Sequence, residues 1–140
     1  MELGVRMATA PADSLPLAAS EHIVIVRQAV RQKAIELGFS LVDQTKIVTA
    51  ASELARNAIQ HGGGGHATIQ VVSDGPRRGL RLAFEDAGPG IADIALAMKD
   101  GYSTGGGLGL GLSGAKRLSN DFSISSTPGA GTRVVITRWK

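Results

Sequence analysis

The sequence contains no cysteine among its 140 residues, which excludes a disulfide framework, a thiolate zinc site and a cysteine nucleophile. Aromatic residues make up 4% of the chain, which leaves few rings to stack on bases. The formal net charge is only +3 and the basic residues are scattered, so nucleic acid is not expected as a partner. No apolar run approaches membrane-spanning length, and residues 1–19 do not resemble a signal peptide. We therefore expect a cytoplasmic protein with no membrane partner.

The chain length fits one domain with a hydrophobic core, since 43% of its residues are hydrophobic and 19% are charged. Residues 1–13 are rich in alanine without a clear period, and we expect them to form a flexible lead-in. The domain is then predicted to cover residues 14–140. Its first element is a short edge strand over residues 14–18, because Pro16 is tolerated at the edge of a sheet and not in its centre.

Two long helices are predicted next. Ser20 and Ser40 are suited to cap their starts, and Asp43 stands at the capping-box position of the second. Gly38 and the glycines at 62–65 supply their ends. Apolar residues recur at helical spacing between these signals. A short helical turn over residues 94–98 and a third helix over residues 110–118 are expected later in the chain.

The remaining segments alternate between apolar and polar residues, which is typical of strands. The predicted strands cover residues 67–72, 79–86, 122–126 and 132–139. The connections at 73–76 and 127–131 are rich in turn residues, so both pairs are expected to be hairpins. The pattern predicts an α+β fold: a two-layer α/β sandwich whose mixed, mainly antiparallel sheet is covered on one face by helices.

Glycine is concentrated in one segment, with five glycines among the eight residues 105–112. Ordering each glycine costs backbone entropy, so such a density indicates a place where side chains would obstruct something. A flexible linker is the alternative, but linkers carry polar padding that this segment lacks. A glycine-rich loop that leads into a helix is suited to bind phosphate through backbone N–H groups. Neither a Rossmann fingerprint nor a Walker A motif is present.

The second helix carries a carboxylate and an amide four residues apart, Glu53 and Asn57, which places them on one face. An amide oxygen suits Mg²⁺, which usually takes one or two protein ligands together with substrate phosphates. A carboxylate beside it can accept a proton from an attacking hydroxyl. The alternative is that both side chains are simply solvated on the helix surface.

The strand over residues 79–86 ends on a carboxylate. Alternation places Leu80, Leu82 and Phe84 on the same face as Asp86, where an unpaired charge would be costly. An adenine amine is a suitable donor, although Asp86-x-Gly88-x-Gly90 is also a plausible plain turn. Thr132 adds a hydroxyl near Asp86 if the two strands are neighbours.

In this order, the four segments resemble the motifs of the GHKL, or Bergerat-type, ATP-binding fold. The matching segments are Glu53-x-x-x-Asn57, Asp86-x-Gly88-x-Gly90, Gly105 to Gly111, and Gly131-Thr132. A narrower similarity is to the RsbT-type serine/threonine kinases, of the anti-sigma factor kinase group. It rests on Leu37-Gly38-Phe39, Val42-Asp43-Gln44, Ser52 to Asn57, Asp100 to Thr104, and Gly114 to Leu118.

The resemblance implies ATP and Mg²⁺ as cofactors, and phosphorylation of a serine or threonine on a small STAS-domain antagonist in bacterial partner switching. It also implies docking on a second partner, a phosphatase regulator or another protein of a sigma-factor pathway. By position, Asn57 is the Mg²⁺ ligand, Glu53 the base, and Asp86 the partner of the adenine amine, assisted by Thr132. The other implied nucleotide-binding residues are Gly88, Gly90 and Ile91 near the base and Thr104, Gly105, Gly106, Gly107, Leu108, Gly109, Leu110, Gly111 and Leu112 around the phosphates.

The resemblance also leaves alternatives open. No helix pair with a phosphoacceptor histidine is recognisable, so autophosphorylation on histidine is not expected. No basic motif for the transferred phosphoryl group stands out, although Lys46, Arg56 and Lys116 are candidates. Besides a kinase, the chain can be a nucleotide-dependent binding module that sequesters or activates a sigma factor or phosphatase regulator, or an ATPase that only hydrolyses.

Overall fold

A computed structural model describes residues 7–9, 12–99 and 111–140 of the chain. Helices and strands alternate irregularly, as in α+β proteins. In chain order the elements are β1 (Met7–Thr9), β2 (Asp13–Leu17), α1 (Ser20–Glu36), α2 (Leu41–Gln60), β3 (Gly65–Asp74), β4 (Arg77–Asp86), α3 (Ile94–Ala97), α4 (Gly111–Arg117), β5 (Asp121–Thr127) and β6 (Gly131–Trp139).

The strands form one sheet in the order β1-β3-β4-β6-β5, with β2 also paired to β3. Each pairing among the described strands is antiparallel. The predicted fold class is confirmed, and the described part of the sheet contains no parallel pair. The strand β2 lies at an edge, as the proline in it predicts. Within the described residues, no helix is both long and apolar enough to span a membrane.

The central strands bury one face against the helices. On β4, Leu80, Leu82 and Phe84 are buried, and the register sets Leu82 between Ile69 of β3 and Ile136 of β6. The buried stripe of α2, with Ile47, Ala51, Leu54 and Ala58 among its members, belongs to the same hydrophobic core. Asp86 follows Phe84 in the alternation, so it lies where the core row ends. The helix α2 and the end of β4 therefore position the predicted polar groups.

The helix ends follow the sequence signals with one exception. The Ser40 hydroxyl accepts a hydrogen bond from the Asp43 N–H at 3.1 Å, which confirms the cap of α2. Gly38 has a φ of 83°, the left-handed conformation that a glycine after a helix supplies. The prediction that Ser20 caps α1 is wrong, because the N-cap is Ala19. The Nδ1 atom of His22 accepts the N–H groups of Ala18 and Ala19 and so ties the residues before α1 to its first turn.

The strands extend beyond the limits that the sequence predicts. Both β3 and β4 continue to the two-residue turn at Gly75 and Pro76, because backbone pairing persists after the apolar alternation stops. Met7–Thr9 also form a strand, paired with Val72 to Asp74 of β3. Within the lead-in of residues 1–13, which we expect to be flexible, these three residues are thus paired in the sheet. The pairing uses backbone groups of β3 beyond the reach of β2, and a side-chain pattern does not reveal it.

Candidate functional site

A cleft of about 400 Å³ opens between the C-terminal half of α2, the adjoining ends of β4 and β6, and the helices α3 and α4. Predicted site residues from all four regions of the sequence line it. They are Glu53, Asn57, Asp86, Gly90, Ile91, Gly111, Leu112 and Thr132. Gly88 is not part of the wall but contacts Asp86. The predicted site residues Thr104, Gly105, Gly106, Gly107, Leu108, Gly109 and Leu110 lie outside the described residues.

The carboxylate of Glu53 is buried at the wall of the cleft, with 6% of the residue exposed. Its Oε2 atom accepts a hydrogen bond from Nη1 of Arg56 at 2.7 Å. Its Oε1 atom accepts the N–H of Gly111, the first residue of α4, at 3.3 Å. These contacts offset part of the cost of burying the charge and fix both oxygens. Arg56, a candidate for the transferred phosphoryl group, is thus engaged by Glu53.

Asp86 lies opposite the end of α2. Its Oδ1 atom accepts the N–H of Gly88 at 2.9 Å, so the carboxylate is held by its own turn. Gly62, just after α2, packs directly on this side chain. A Cβ atom on Gly62 would lie 2.2 Å from Cγ of Asp86, far inside van der Waals contact. The Asp86 carboxylate can therefore occupy this position only because residue 62 has no side chain.

The glycines after β4 serve close approach of the chain to itself. A Cβ atom on Gly88 would lie 2.5 Å from the carbonyl oxygen of Gly62. Gly90 has a φ of 77°, and its Cβ atom would lie 2.5 Å from the carbonyl oxygen of Thr127. The sequence interpretation assigned both glycines to the approach of a base. The close neighbours in the structure are backbone atoms, so Gly88 packs the loop against the residues that follow α2, and Gly90 packs it against the end of β5.

Thr132 faces the same end of the cleft from β6. The register pairs it directly with Asp86, which meets the condition that the sequence analysis set for a hydroxyl near this carboxylate. The Thr132 hydroxyl lies 2.8 Å from the hydroxyl of Ser126 on β5. A carboxylate and a hydroxyl therefore stand side by side at one end of the cleft, above apolar side chains of Phe84 and Val134.

Sequence reasoning missed several residues of the wall. Gln60, His61 and Gly62 follow Asn57 at the end of α2; helical spacing puts the first two near the face of Glu53 and Asn57, but none was assigned to the site. Leu96 and Ala97 come from α3, whose start is capped by the Asp93 carboxylate through the Leu96 N–H at 2.9 Å. Asp93, the residue directly before the predicted helical turn at 94–98, was the available signal for this wall.

The comparisons with known proteins bear on this cleft. Residues 42–140 match the family described as histidine kinase-, DNA gyrase B-, and HSP90-like ATPase. The chain belongs to this family. It is 50% identical over 117 residues to the serine/threonine-protein kinase RsbT of Bacillus subtilis (strain 168), which covers 84% of this chain and 88% of that relative. It therefore falls among the RsbT-type serine/threonine kinases.

More distant relatives extend the picture. The anti-sigma F factor of Thermoanaerobacter sp. (strain X514) is 30% identical over 129 residues, covering 88% of this chain and 89% of that protein. A crystal structure of the RsbU and RsbW domains of Rv1364c from Mycobacterium tuberculosis superposes with a TM-score of 0.64 at 24% identity. That match covers 92% of this chain and 32% of the other, and it supports the fold of this RsbT-type chain.

Proposed function

We propose that this RsbT-type chain acts in the cytoplasm and uses MgATP to phosphorylate a serine or threonine of a small STAS-domain antagonist. The observation that carries the proposal is the convergence of Glu53 and Asn57 on α2 with Asp86 and Thr132 of the sheet around one cleft. A second partner, a regulator of a phosphatase or another protein of a sigma-factor pathway, would dock on the same chain, as the resemblance implies.

The end of the cleft beside the sheet suits a purine. Asp86 offers a carboxylate oxygen to the exocyclic amine of adenine, and a charge-assisted hydrogen bond of this kind is stronger than a neutral one. Thr132 offers a hydroxyl beside it. Phe84, Val134 and Leu112 supply apolar surface for the ring. In this proposal Gly90 and Ile91 border the base, and Gly88 supports Asp86.

The end of the cleft beside α2 suits the phosphates. The side-chain oxygen of Asn57 is a hard ligand of the kind that Mg²⁺ accepts together with phosphate oxygens. Bound Mg²⁺ would neutralise charge on the phosphates during transfer. Among the described residues, no three His, Asp or Glu side chains form a metal-binding group, so Asn57 is the one ligand that we assign. Residues 104–112 would surround the phosphates.

We assign Glu53 as the base. Its carboxylate lies one helical turn before Asn57 on the same face of α2, and Arg56 holds one of its oxygens at 2.7 Å. In phosphoryl transfer the protein mainly positions the reactants and stabilises charge. Glu53 would orient the acceptor hydroxyl toward the γ-phosphate and take its proton.

The test is transfer of label from γ-labelled ATP to a purified STAS-domain partner. Glu53→Gln keeps the shape of the side chain and removes the base, so we expect transfer to fall about 10²- to 10⁴-fold while ATP still binds. Glu36→Gln, on the exposed end of α1, is the matched control and should transfer at the normal rate. A Glu53→Gln protein that transfers label as fast as the wild type would falsify the assignment of the base.

The similarity to anti-sigma F factors favours a second candidate function, a nucleotide-dependent module that binds a sigma factor or phosphatase regulator. In that case, nucleotide would act by favouring one conformation of the chain. The same experiment separates the two functions. ATP-dependent complex formation without label on the STAS-domain protein would favour the binding module over the kinase.

A further inference from the structure

The wall of the cleft carries more negative than positive charge. Three carboxylates line it, those of Glu53, Asp86 and Asp93. Among the wall residues that the structure describes, Arg56 is the only lysine or arginine. The sequence of residues 100–110, which includes most of the segment proposed to surround the phosphates, also contains neither. Arg56 is therefore the one permanent cation that these parts of the chain can offer to an anionic phosphate.

The structure also separates the three basic residues that the sequence offers for the transferred phosphoryl group. Lys46 and Lys116 are exposed, and neither belongs to the described wall of the cleft. Lys46 lies about two helical turns before Glu53 on α2, and Lys116 stands in the last turn of α4. Arg56 directly precedes Asn57, the proposed Mg²⁺ ligand, and lines the cleft itself. Position alone thus selects Arg56 from the three.

The guanidinium of Arg56 stands beside the proposed base. Its Nη1 atom donates a hydrogen bond to Oε2 of Glu53 at 2.7 Å. An arginine carries five N–H donors in a planar fork, and the contact with Glu53 uses one donor on Nη1. The fork can therefore serve a second acceptor while it holds Glu53.

Glu53 keeps room for the acceptor hydroxyl. An ionised carboxylate has about four acceptor positions, and the contacts with Arg56 and Gly111 take two of them. In the transfer step, the hydroxyl oxygen of the acceptor bonds to the γ-phosphorus, and the hydroxyl proton passes to Glu53. The bond from that phosphorus to the β,γ-bridging oxygen breaks, and ADP leaves with the electron pair. The γ-phosphate thus lies next to the hydroxyl that Glu53 contacts, which brings it within reach of Arg56.

We propose that Arg56 is a catalytic residue that holds Glu53 through Nη1 and donates hydrogen bonds from the rest of its guanidinium to the γ-phosphate of ATP. The inference rests on the proposed function, since it assumes that ATP binds with its phosphates beside α2. Arginine suits this role because its planar fork matches phosphate oxygens and its charge is permanent. The contact would make the cleft prefer a nucleoside triphosphate over a diphosphate.

The experiment compares the binding of ATP and ADP, because only ATP carries the γ-phosphate. Calorimetry with Mg²⁺ present gives both dissociation constants for each protein. We expect Arg56→Gln to bind ATP about 10- to 100-fold more weakly, the effect of losing a hydrogen bond between charged groups. Its affinity for ADP should stay within about twofold of the wild type. Arg27→Gln, at an exposed position of α1 outside the described wall of the cleft, removes the same charge and should keep both affinities.

A second background separates contact with the γ-phosphate from neutralisation of Glu53 alone. In Arg56→Gln, the unpaired Glu53 carboxylate repels the γ-phosphate even if Arg56 never touches it. Glu53→Gln removes that repulsion. Adding Arg56→Gln to Glu53→Gln should therefore still weaken ATP binding by at least about tenfold and leave ADP binding unchanged. The double variant also has no unpaired buried charge at this position, so it decides the question if Arg56→Gln alone does not fold.

Three results would overturn the inference: an unchanged affinity of Arg56→Gln for ATP, an equal loss for ATP and ADP, or no effect of Arg56→Gln on ATP binding in the Glu53→Gln background. Failure of the proposed function gives a different result. A wild-type protein that binds ATP but transfers no label contradicts the kinase and leaves the comparison of ATP with ADP intact. A wild-type protein that binds neither nucleotide contradicts the nucleotide site as a whole, and the role of Arg56 with it.

Discussion

The contact between Gly62 and Asp86 allows a single methyl group to test the adenine site. Gly62 follows α2 and donates a backbone hydrogen bond to the Asn57 carbonyl oxygen at 3.3 Å. Its φ does not lie in the left-handed region, unlike that of Gly63, so alanine can adopt its backbone conformation. In Gly62→Ala, crowding against Asp86 is therefore the dominant effect.

The required shift can be estimated from the structure. The new Cβ atom would lie 2.2 Å from Cγ and 2.5 Å from Cβ of Asp86, whereas ordinary contact begins at 3.4 Å. The carboxylate must therefore retreat by about 1.2 Å. Rotation of the side chain does not relieve the contact with Cβ, so the backbone must move as well. A hydrogen bond near 2.9 Å would stretch to about 4 Å, beyond bonding distance.

The expected loss follows from the strength of the broken bond. A hydrogen bond to a charged group contributes about 1.5–3 kcal/mol, so we expect Gly62→Ala to bind ATP about 10- to 100-fold more weakly. Calorimetric titration with MgATP measures this loss, and thermal unfolding shows whether the variant is folded. Gly63→Ala is the control, because it imposes left-handed strain at a φ of 73° with no atom within 4 Å.

The control should lose stability and keep its ATP affinity. The reasoning is refuted if Gly62→Ala is folded and binds ATP within about twofold of the wild type, well under the loss of one hydrogen bond. In that case, the carboxylate of Asp86 would not be the group that holds the base.

Two further predictions concern the metal and the pH dependence of stability. Asn57→Ala should bind ATP equally with and without Mg²⁺, because the proposed ligand is gone. Titrations with and without Mg²⁺ check this, and a gain from Mg²⁺ in the variant as large as the gain in the wild type would contradict it. The hydrogen bond from Arg138 lowers the pKa of Asp43 below its ordinary value of 3.8. The ion pair thus stabilises the fold above that value and loses its contribution as pH falls through the lowered pKa. Asp43→Asn should therefore be less stable than the wild type at pH 7, and the difference in the free energy of unfolding should shrink in acid. Denaturant titrations at several pH values measure this difference. A difference independent of pH would argue against a stabilising ion pair between Asp43 and Arg138.

The sequence predicts the parts of the site that depend on local periodicity. Four-residue spacing is enough to place Glu53 and Asn57 on one face of α2. Alternation is enough to place Asp86 at the end of the row that contains Leu82 and Phe84. Both predictions use the geometry of a single element, which the neighbouring residues fix.

The remaining features depend on how distant segments meet. The contact between the Ile91 N–H and Ser126 joins residues 35 apart in sequence, and the contact between Gly111 and Glu53 joins residues 58 apart. The contact between Gly62 and Asp86 likewise depends on how α2 packs against the sheet. Strand register and helix packing decide such contacts, and the spacing of residues within one segment predicts neither of them.

The N-cap of α1 shows that a prediction from residue type can also fail within a single helix. Ser20 has the residue type that favours an N-cap, yet the ring of His22 reaches back to the two preceding N–H groups and α1 begins one position earlier than that rule indicates. A residue preference describes an average, and here a longer side chain three positions into the helix accepts the N–H groups of Ala18 and Ala19, which lie before the helix.

The central claim is that the cleft between α2 and the sheet holds ATP through Asp86, and titration calorimetry of MgATP into the purified chain tests it most directly. We expect measurable heat and saturation for the wild type, and at least about tenfold weaker binding for Asp86→Asn, which replaces the charged acceptor with a neutral amide. No heat from the wild type at millimolar ATP, or equal affinity of the two proteins, would contradict the claim.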